Sequence, residues 1–473
     1  MKNLIFIFAA IIFSFQVNAE VDDWTAYGKD SGGGHYSKAS EITPENVHNL
    51  ERAWVHRSGD FQDGANTRGT ISNEIQTSFQ ATPLLVDETL YYCTPFNRVF
   101  ALNPETGEEK WIFDPEVDPS GRPLKTCRGL SSWKDSNKSQ SDICYHRIVG
   151  VTMDVELFSI DGKTGKLCDD FGNEGIVNLR KGLGNHPDTY YWSSSPPAII
   201  GDKLIVGGSV IDNLSINIPG GVVRAYDIRT GELIWYWDPI PPGKEAVLDD
   251  DGNHLYQRGT ANVWSIISTD PDLNMIYLPT GNASPDYYGG HRKGLDYYNS
   301  SVVALNADTG EVVWHFKTVY HDVWDYDVPS QPTFYDIEKD GKIIKALAQT
   351  TKMGLVFLLN RETGEPIFPI EEREVPQGSL EGENLSKTQP FPTKPLPLNP
   401  INFDPDEAYG FTFWDRGYCK RTAKKLRNEG LYTPPSLQGS IHYPSAIGGN
   451  NWGGPAVDHS RNVMVVNTMN LAS

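Results

Sequence analysis

Eight residues concentrate most of the reactive groups that one loop can carry. From Tyr320 to Asp327 the chain reads Tyr-His-Asp-Val-Trp-Asp-Tyr-Asp, so three carboxylates, an imidazole and an indole stand together. The segment follows an apolar, strand-like run, Val312-Val-Trp-His-Phe316, and is ended by Pro329. Acids beside an aromatic plate at the end of a strand suit a metal ion next to a flat cofactor. A solvated acidic loop would have the same composition, so the surrounding elements must decide between the two.

Those elements announce themselves by repetition. Ala101-Leu-Asn-Pro-Glu-Thr-Gly-Glu-Glu-Lys-Trp111 returns as Ala225-Tyr-Asp-Ile-Arg-Thr-Gly-Glu-Leu-Ile-Trp235 and again as Ala304-Leu-Asn-Ala-Asp-Thr-Gly-Glu-Val-Val-Trp314. Weaker copies end at Thr164-Gly165 and Thr363-Gly364. Alternating apolar residues lead into an Asx-x-x-Thr-Gly turn and then resume, which predicts strand, tight turn, strand. A unit of this kind buries its face only against neighbouring copies. The turn glycines lie roughly 55–80 residues apart, longer than bare propeller blades, so loops are inserted between blades. Further strand pairs are expected at Ala81–Leu85 with Thr89–Cys93, at Ala198–Ile200 with Lys203–Gly207, and at Met275–Thr280. Glu365–Asp406 is Pro-rich and predicts a long surface excursion, and Arg421–Glu429 predicts one short helix. The fold class is therefore all-β, a single β-propeller over residues 20–473.

Composition narrows the function. The 61 acids outnumber the 41 bases, for a net charge of -20, which argues against nucleic acid and against an anionic membrane surface. Residues 1–19 have the pattern of an export signal: Lys2, an apolar run from Leu4 to Phe15, and Val-Asn-Ala before Glu20. The mature chain is then expected in the periplasm, with no transmembrane segment. Among five cysteines, Cys127 and Cys144 bracket a polar insertion and are the expected bridge, with buried free thiols as the alternative. No Cys-x-x-Cys-His is present for covalent haem.

The loops also carry a resemblance. Asp23-Trp-Thr-Ala-Tyr-Gly, Asn46-Val-His-Asn-Leu, Thr126-Cys-Arg-Gly, Gly165-Lys-Leu-Cys, Val210-Ile-Asp-Asn and Ser284-Pro-Asp-Tyr-Tyr-Gly-Gly occur in order. They are followed by His321-Asp-Val-Trp-Asp-Tyr-Asp-Val-Pro, Lys352-Met-Gly and Asn451-Trp-Gly-Gly. Together these resemble the quinoprotein dehydrogenases that use pyrroloquinoline quinone (PQQ), most closely their glucose dehydrogenase branch. The resemblance implies an eight-bladed propeller of which about six blades are present here, the rest being lacking or supplied by another chain.

By the same resemblance Asp325 is the catalytic base, and Asp212, Asn282, Asp325 and Asp327 are metal ligands. Arg128, Ser209, Asn262, Trp264, Lys352, Asn451 and Trp452 are cofactor contacts. Physical chemistry agrees with the assignment. Carboxylate and amide oxygens suit a hard ion such as Ca²⁺, with a lanthanide or Mg²⁺ as alternatives. A flat tricarboxylate needs stacking plates and cations. The implied reaction is oxidation of a sugar, polyol or related hydroxylated small molecule, with electrons passed to ubiquinone or another respiratory acceptor, a quinone or a cytochrome. Leu124 stands where the glucose branch has a His, so glucose itself does not follow from the likeness. Two other readings are a catalytically inactive piece of such an enzyme and a non-catalytic propeller that binds other proteins.

Overall fold

A computed structural model describes residues 22–61, 77–120, 122, 125–249, 252 and 254–473. The expected export signal and Leu124 lie outside the described residues. The first blade is an antiparallel meander of Leu84–Val86, Thr89–Cys93, Val99–Leu102 and Glu109–Phe113. The second comprises Ser131–Lys134, His146–Val151, Glu156–Asp161 and Ile176–Asn178. Ala198–Ile200, Lys203–Val206, Val223–Asp227 and Leu233–Trp237 form the third. The fourth is Ser268–Asp270, Met275–Pro279, Ser301–Asn306 and Val312–Lys317. A three-stranded fifth sheet, Thr333–Phe334, Ala346–Thr350 and Val356–Asn360, precedes a final pair, Pro455–Asp458 with Val463–Val466. These six successive sheets match the β-propeller expected from the repeats.

The repeated phrase is the connection from third to fourth strand, and its residue types explain its shape. Asn103 Oδ1 accepts from the backbone N–H of Glu105 and Thr106, and the Gly107 N–H closes back on the Asn103 carbonyl at 2.9 Å. Gly107 has φ +74°, a conformation that costs glycine nothing. Asp161, Asp227, Asn306 and Asn360 rebuild the same turn.

The turn glycine also receives the neighbouring blade. Trp111 lies on Gly165, Trp235 on Gly310 and Trp314 on Gly364, and a Cβ on any of these glycines would stand 2.5–2.6 Å from the indole. Each indole Nε1–H donates to a carbonyl at the start of the next blade's turn: Trp111 to Gly162 (3.1 Å), Trp235 to Ala307 (3.0 Å) and Trp314 to Arg361 (3.1 Å). Trp54 does the same to Pro104 and covers Gly107. Between the second and third blades, Val177 takes the place of the indole against Gly231. Nearer the axis, Ser131, Ser265 and Ser268 donate across blades to the carbonyls of Pro197, Pro329 and Pro332 at 2.5–2.6 Å.

Three expectations change. The bridges are Cys93–Cys127 and Cys144–Cys168, and Cys419 is free and exposed. Cys127 meets the end of the first blade's second strand, whereas Cys144 faces a residue beyond the second blade's third strand, so adjacency across strands overrides closeness in sequence. The helix spans Phe413–Ala423 rather than 421–429, because Thr412 and Asp415 form a reciprocal capping box that starts it earlier. The Pro-rich excursion contains a hairpin, Ile370–Glu374 with Thr388–Pro392, whose Phe391 is buried in the main core.

Removing Trp235 should expose how much the docking contributes. Trp235→Ala is expected to lower the unfolding free energy by about 3–5 kcal/mol, as truncating a buried indole does. Gly310→Ala should cost more than about 1 kcal/mol through its φ of +72° and the clash with that ring. Urea unfolding with a parent-like midpoint for both variants would refute the docking role.

Candidate cofactor and active site

In an antiparallel meander the start of the first strand and the end of the second lie at one end, and the turn from third to fourth strand lies at the other. The residues whose chemistry stands out in the sequence lie at the first of these ends. Arg128, Trp264 and Asp327 each stand a few residues before a first strand, Asn451 before the final pair, and Ser209 and Lys352 just after second strands. Chemistry and docking therefore occupy opposite ends of the same sheets. A cavity of about 190 Å³ is lined by Arg128, Ser209, Asp212, Asn262, Trp264, Asp325, Asp327, Lys352 and Asn451, together with Trp192, Ser194 and Val210.

Lys352 is the charge at its centre. Its buried Nζ donates to the backbone carbonyl and the Oδ1 of Asp325, both at 2.8 Å, and lies 3.4 Å from Asp327 Oδ2. Burial works against the ammonium, yet Asp325 and Asp327 hold its pKa above the ordinary lysine value. Asp327 is fixed on both oxygens, by Trp264 Nε1–H (3.0 Å) and by the Asn282 N–H (2.6 Å). Asp325 has φ +58°, a left-handed backbone in a non-glycine residue, and its Oδ2 is left facing the Tyr287 hydroxyl at 3.5 Å.

Four carboxylates lie within electrostatic reach of one another here, with one ammonium among them. Burial pushes Asp212 up to about 6, with Asp327 adding to the rise. Burial also raises Asp286 well above its ordinary value, helped by Asp212, Asp325 and Asp327. Asp325 is raised by burial and by Asp327 and Asp212, against the pull of Lys352. Such a cluster is short of positive charge, and oxygen-only donors of this kind fit a hard divalent or trivalent cation.

The walls fit a flat, anionic ring system. Trp264 and Trp452 both lie 5.2 Å from the Arg128 guanidinium, which also donates to Ser194 Oγ at 2.6 Å. Burial lowers the Arg128 pKa to about 10, still charged at neutral pH. Among the described residues, Asn262 Oδ1 and Trp192 Nε1 are buried without a partner. An unpaired acceptor and an unpaired donor in one wall are what a polar ring ligand would satisfy.

The loop carrying Asn451 and Trp452 is pinned by glycine. A Cβ on Gly448 (φ +86°) would lie 2.7 Å from Lys352 Cγ, and the Gly449 N–H donates to the Lys352 carbonyl at 2.6 Å. Asn451 lines the cavity while its side chain braces its own loop, donating to the Ile447 carbonyl and accepting from the Trp452 N–H. Asn282 is placed differently. Its Oδ1 accepts from Asn299 Nδ2 and from the Ala283 N–H, and it reaches the cluster through its backbone contact to Asp327.

Two residues of the Tyr320–Asp327 segment are structural. Trp324 is buried against Tyr326 and Tyr432 and donates to the Thr433 carbonyl, so it is core, and the indoles beside Arg128 are those of Trp264 and Trp452. Asp322 accepts from the N–H of Trp324 and Tyr326 and from Ser300 Oγ, folding the loop that presents Asp325. Asp286, Trp192 and Ser194 join the site without standing out in the sequence. Asp286 stands within the Ser284-Pro-Asp-Tyr-Tyr motif, the local signal for it.

Residues 24–473 match the family described as "PQQ: Glucose/ethanol/alcohol dehydrogenase, beta-propeller domain". The chain is 38% identical over 464 residues to the quinoprotein glucose dehydrogenase of Escherichia coli, covering 95% of this chain and 56% of that protein. Quinate/shikimate dehydrogenase (quinone) of Acinetobacter baylyi is 35% identical over 467 residues, covering 95% and 56%. The glycerol dehydrogenase large subunit of Gluconobacter oxydans is 34% identical over 450 residues, covering 94% and 59%. The chain thus spans little more than half the length of the curated relatives it matches. The crystal structure of quinohemoprotein alcohol dehydrogenase from Comamonas testosteroni shares the fold at TM-score 0.64 and 22% identity, over 95% of this chain and 58% of that one. With the blades, the cavity and the matched span in agreement, this chain belongs to the PQQ-dependent quinoprotein dehydrogenase family.

Proposed function

We propose that the chain carries the catalytic site of a periplasmic dehydrogenase oxidising a sugar, polyol or related hydroxylated molecule, with ubiquinone or another respiratory acceptor taking the electrons. The observation that carries this reading is the contact of Lys352 with both Asp325 and Asp327 inside a cavity walled by Trp264 and Arg128. The named activities of relatives, on glucose, quinate or shikimate, and glycerol, support a polyhydroxylated substrate. The export-signal pattern supports the compartment.

When bound, PQQ supplies the two-electron acceptor for the hydride leaving the substrate carbon. Trp264 and Trp452 would flank its rings, while Arg128 and Lys352 would meet its carboxylate and quinone oxygens. Asp212, Asp325 and Asp327 would hold the cation, Ca²⁺ in this proposal. Lys352 occupies Oδ1 of Asp325, which leaves Oδ2 to accept the hydroxyl proton of the substrate. A cation held there would keep Asp325 ionised at neutral pH against the upward push of burial. Asp327, tied to Trp264, keeps the stacking plate and the charged group in one register.

Asp325→Asn keeps shape and removes the base. At saturating PQQ and Ca²⁺ it should lower turnover by on the order of 10²–10⁴ while PQQ still binds, as read by calorimetry. Turnover within threefold of the parent would rule out the assignment.

Chelation of the protein before PQQ is added should weaken PQQ binding at least about tenfold, with Ca²⁺ restoring it, because the cluster lacks positive charge. Lys352→Ala should weaken PQQ binding in either condition. Equal PQQ affinity with and without metal, in samples checked by elemental analysis, would contradict the metal assignment.

A further inference from the structure

The helix Phe413–Ala423 is attached at one end and bare along most of its length. Its only buried residue is Ala423, packed with Ile441 and Tyr443 and against Phe403 and Leu426. Around its N-terminus the large aromatics face outward: Phe411 is 91% exposed, Tyr409 74%, Phe413 73%, Trp414 70% and Tyr418 65%. The Phe413 and Trp414 rings lie against each other with centroids 3.8 Å apart, and Tyr409 lies edge-on to Phe411. The capping box from Thr412 to Asp415 holds this end as a helix, so the aromatics sit on a rigid stub.

Charge separates this patch from the rest of the surface. From Phe411 to Arg427 the chain has six bases (Arg416, Lys420, Arg421, Lys424, Lys425 and Arg427) and one acid, Asp415, in a protein of net charge -20. Asp406 ion-pairs with Lys420 and Lys424, and Arg427 with Glu429. Among the described residues, Arg421 in the last turn and Lys425 just past the helix are exposed and carry no such pair. A protein partner would be met by an apolar centre depleted of lysine. Exposed Trp, Tyr and Phe followed by Lys and Arg are instead the composition that sits at the level of lipid headgroups, aromatics in the interface and cations against anionic phosphate.

We propose that this projecting aromatic and basic helix docks the protein on an anionic lipid surface. The overall negative charge does not forbid it. At physiological salt, charges beyond about 8 Å are screened, so the membrane meets the local cations. The reading is independent of the cofactor site, because lipid binding needs neither PQQ nor substrate.

The test is sedimentation of the full chain with vesicles of phosphatidylcholine containing 30% phosphatidylglycerol, and with phosphatidylcholine alone. Binding to the anionic vesicles is expected, weakened about tenfold or more between 50 and 300 mM salt. The double variant Phe411→Ser, Trp414→Ser should lose at least about tenfold in affinity with unchanged circular dichroism and melting. Arg421→Glu with Lys425→Glu should lose binding to anionic vesicles specifically. No binding to anionic vesicles at 50 mM salt, or binding undiminished in both variants, would overturn the proposal. Self-association abolished by the aromatic variant without vesicle binding would assign the patch to a second copy of the chain and overturn it equally.

Discussion

An indole seated on a glycine turn is the contact on which the rest of the molecule depends. Each sheet here is too thin to bury both its faces alone, and its stability comes from the sheet beside it. The docking of Trp54, Trp111, Trp235 and Trp314 on four of the five turns, with Val177 on the fifth, fixes how one sheet meets the next at one end. The serine-to-proline-carbonyl bonds fix the approach of the second and fourth sheets to their following neighbours. Loops at the opposite end then hold their spacing without needing to contact one another, which leaves them free to carry function.

What those loops carry is a charge imbalance that the scaffold sustains. Asp212, Asp286, Asp325 and Asp327 face one ammonium, Lys352, and burial raises the cost of each negative charge. In a flexible chain such groups would separate or turn to water. Here Asp327 is held by Trp264 and the Asn282 backbone, Asp286 by Asn213, and the Asp325 loop by Asp322 and Arg292. The packing energy of the blades thus maintains a site that would not assemble on its own electrostatics.

Much of this was legible in the residues because its causes are local. The Asx-x-x-Thr-Gly turns need particular side chains at fixed spacing, so the strands flanking Gly107, Gly231 and Gly310 could be read directly. The motif order pointed to Asp325, Lys352 and Trp264, which the fold brings into one cavity. What escaped depends on contacts distant in sequence. The disulfides join positions 34 and 24 residues apart because strands place them side by side, whereas Cys127 and Cys144 only looked adjacent. Trp324 could have been a plate or core, and Tyr432 and Thr433, over a hundred residues away, make it core. Asp286 is held beside the cluster by Asn213 and Asn282, both distant in sequence from Asp325. The helix start was signalled locally by Thr412 and Asp415 and was obscured by the charged run that follows.

Because each of these blades presents a turn on one side and a ring on the other, a copied blade brings both halves of its joint with it. Duplication of such a unit adds a sheet without new interface chemistry. Divergence can then proceed in the opposite loops while the joint stays constant. The second blade shows the tolerance of this arrangement. It offers Val177 in place of an indole, and Gly231 of the following blade still closes against it. The joint is therefore a shape convention before it is a residue, and a lineage can rewrite its chemistry one loop at a time without renegotiating its architecture.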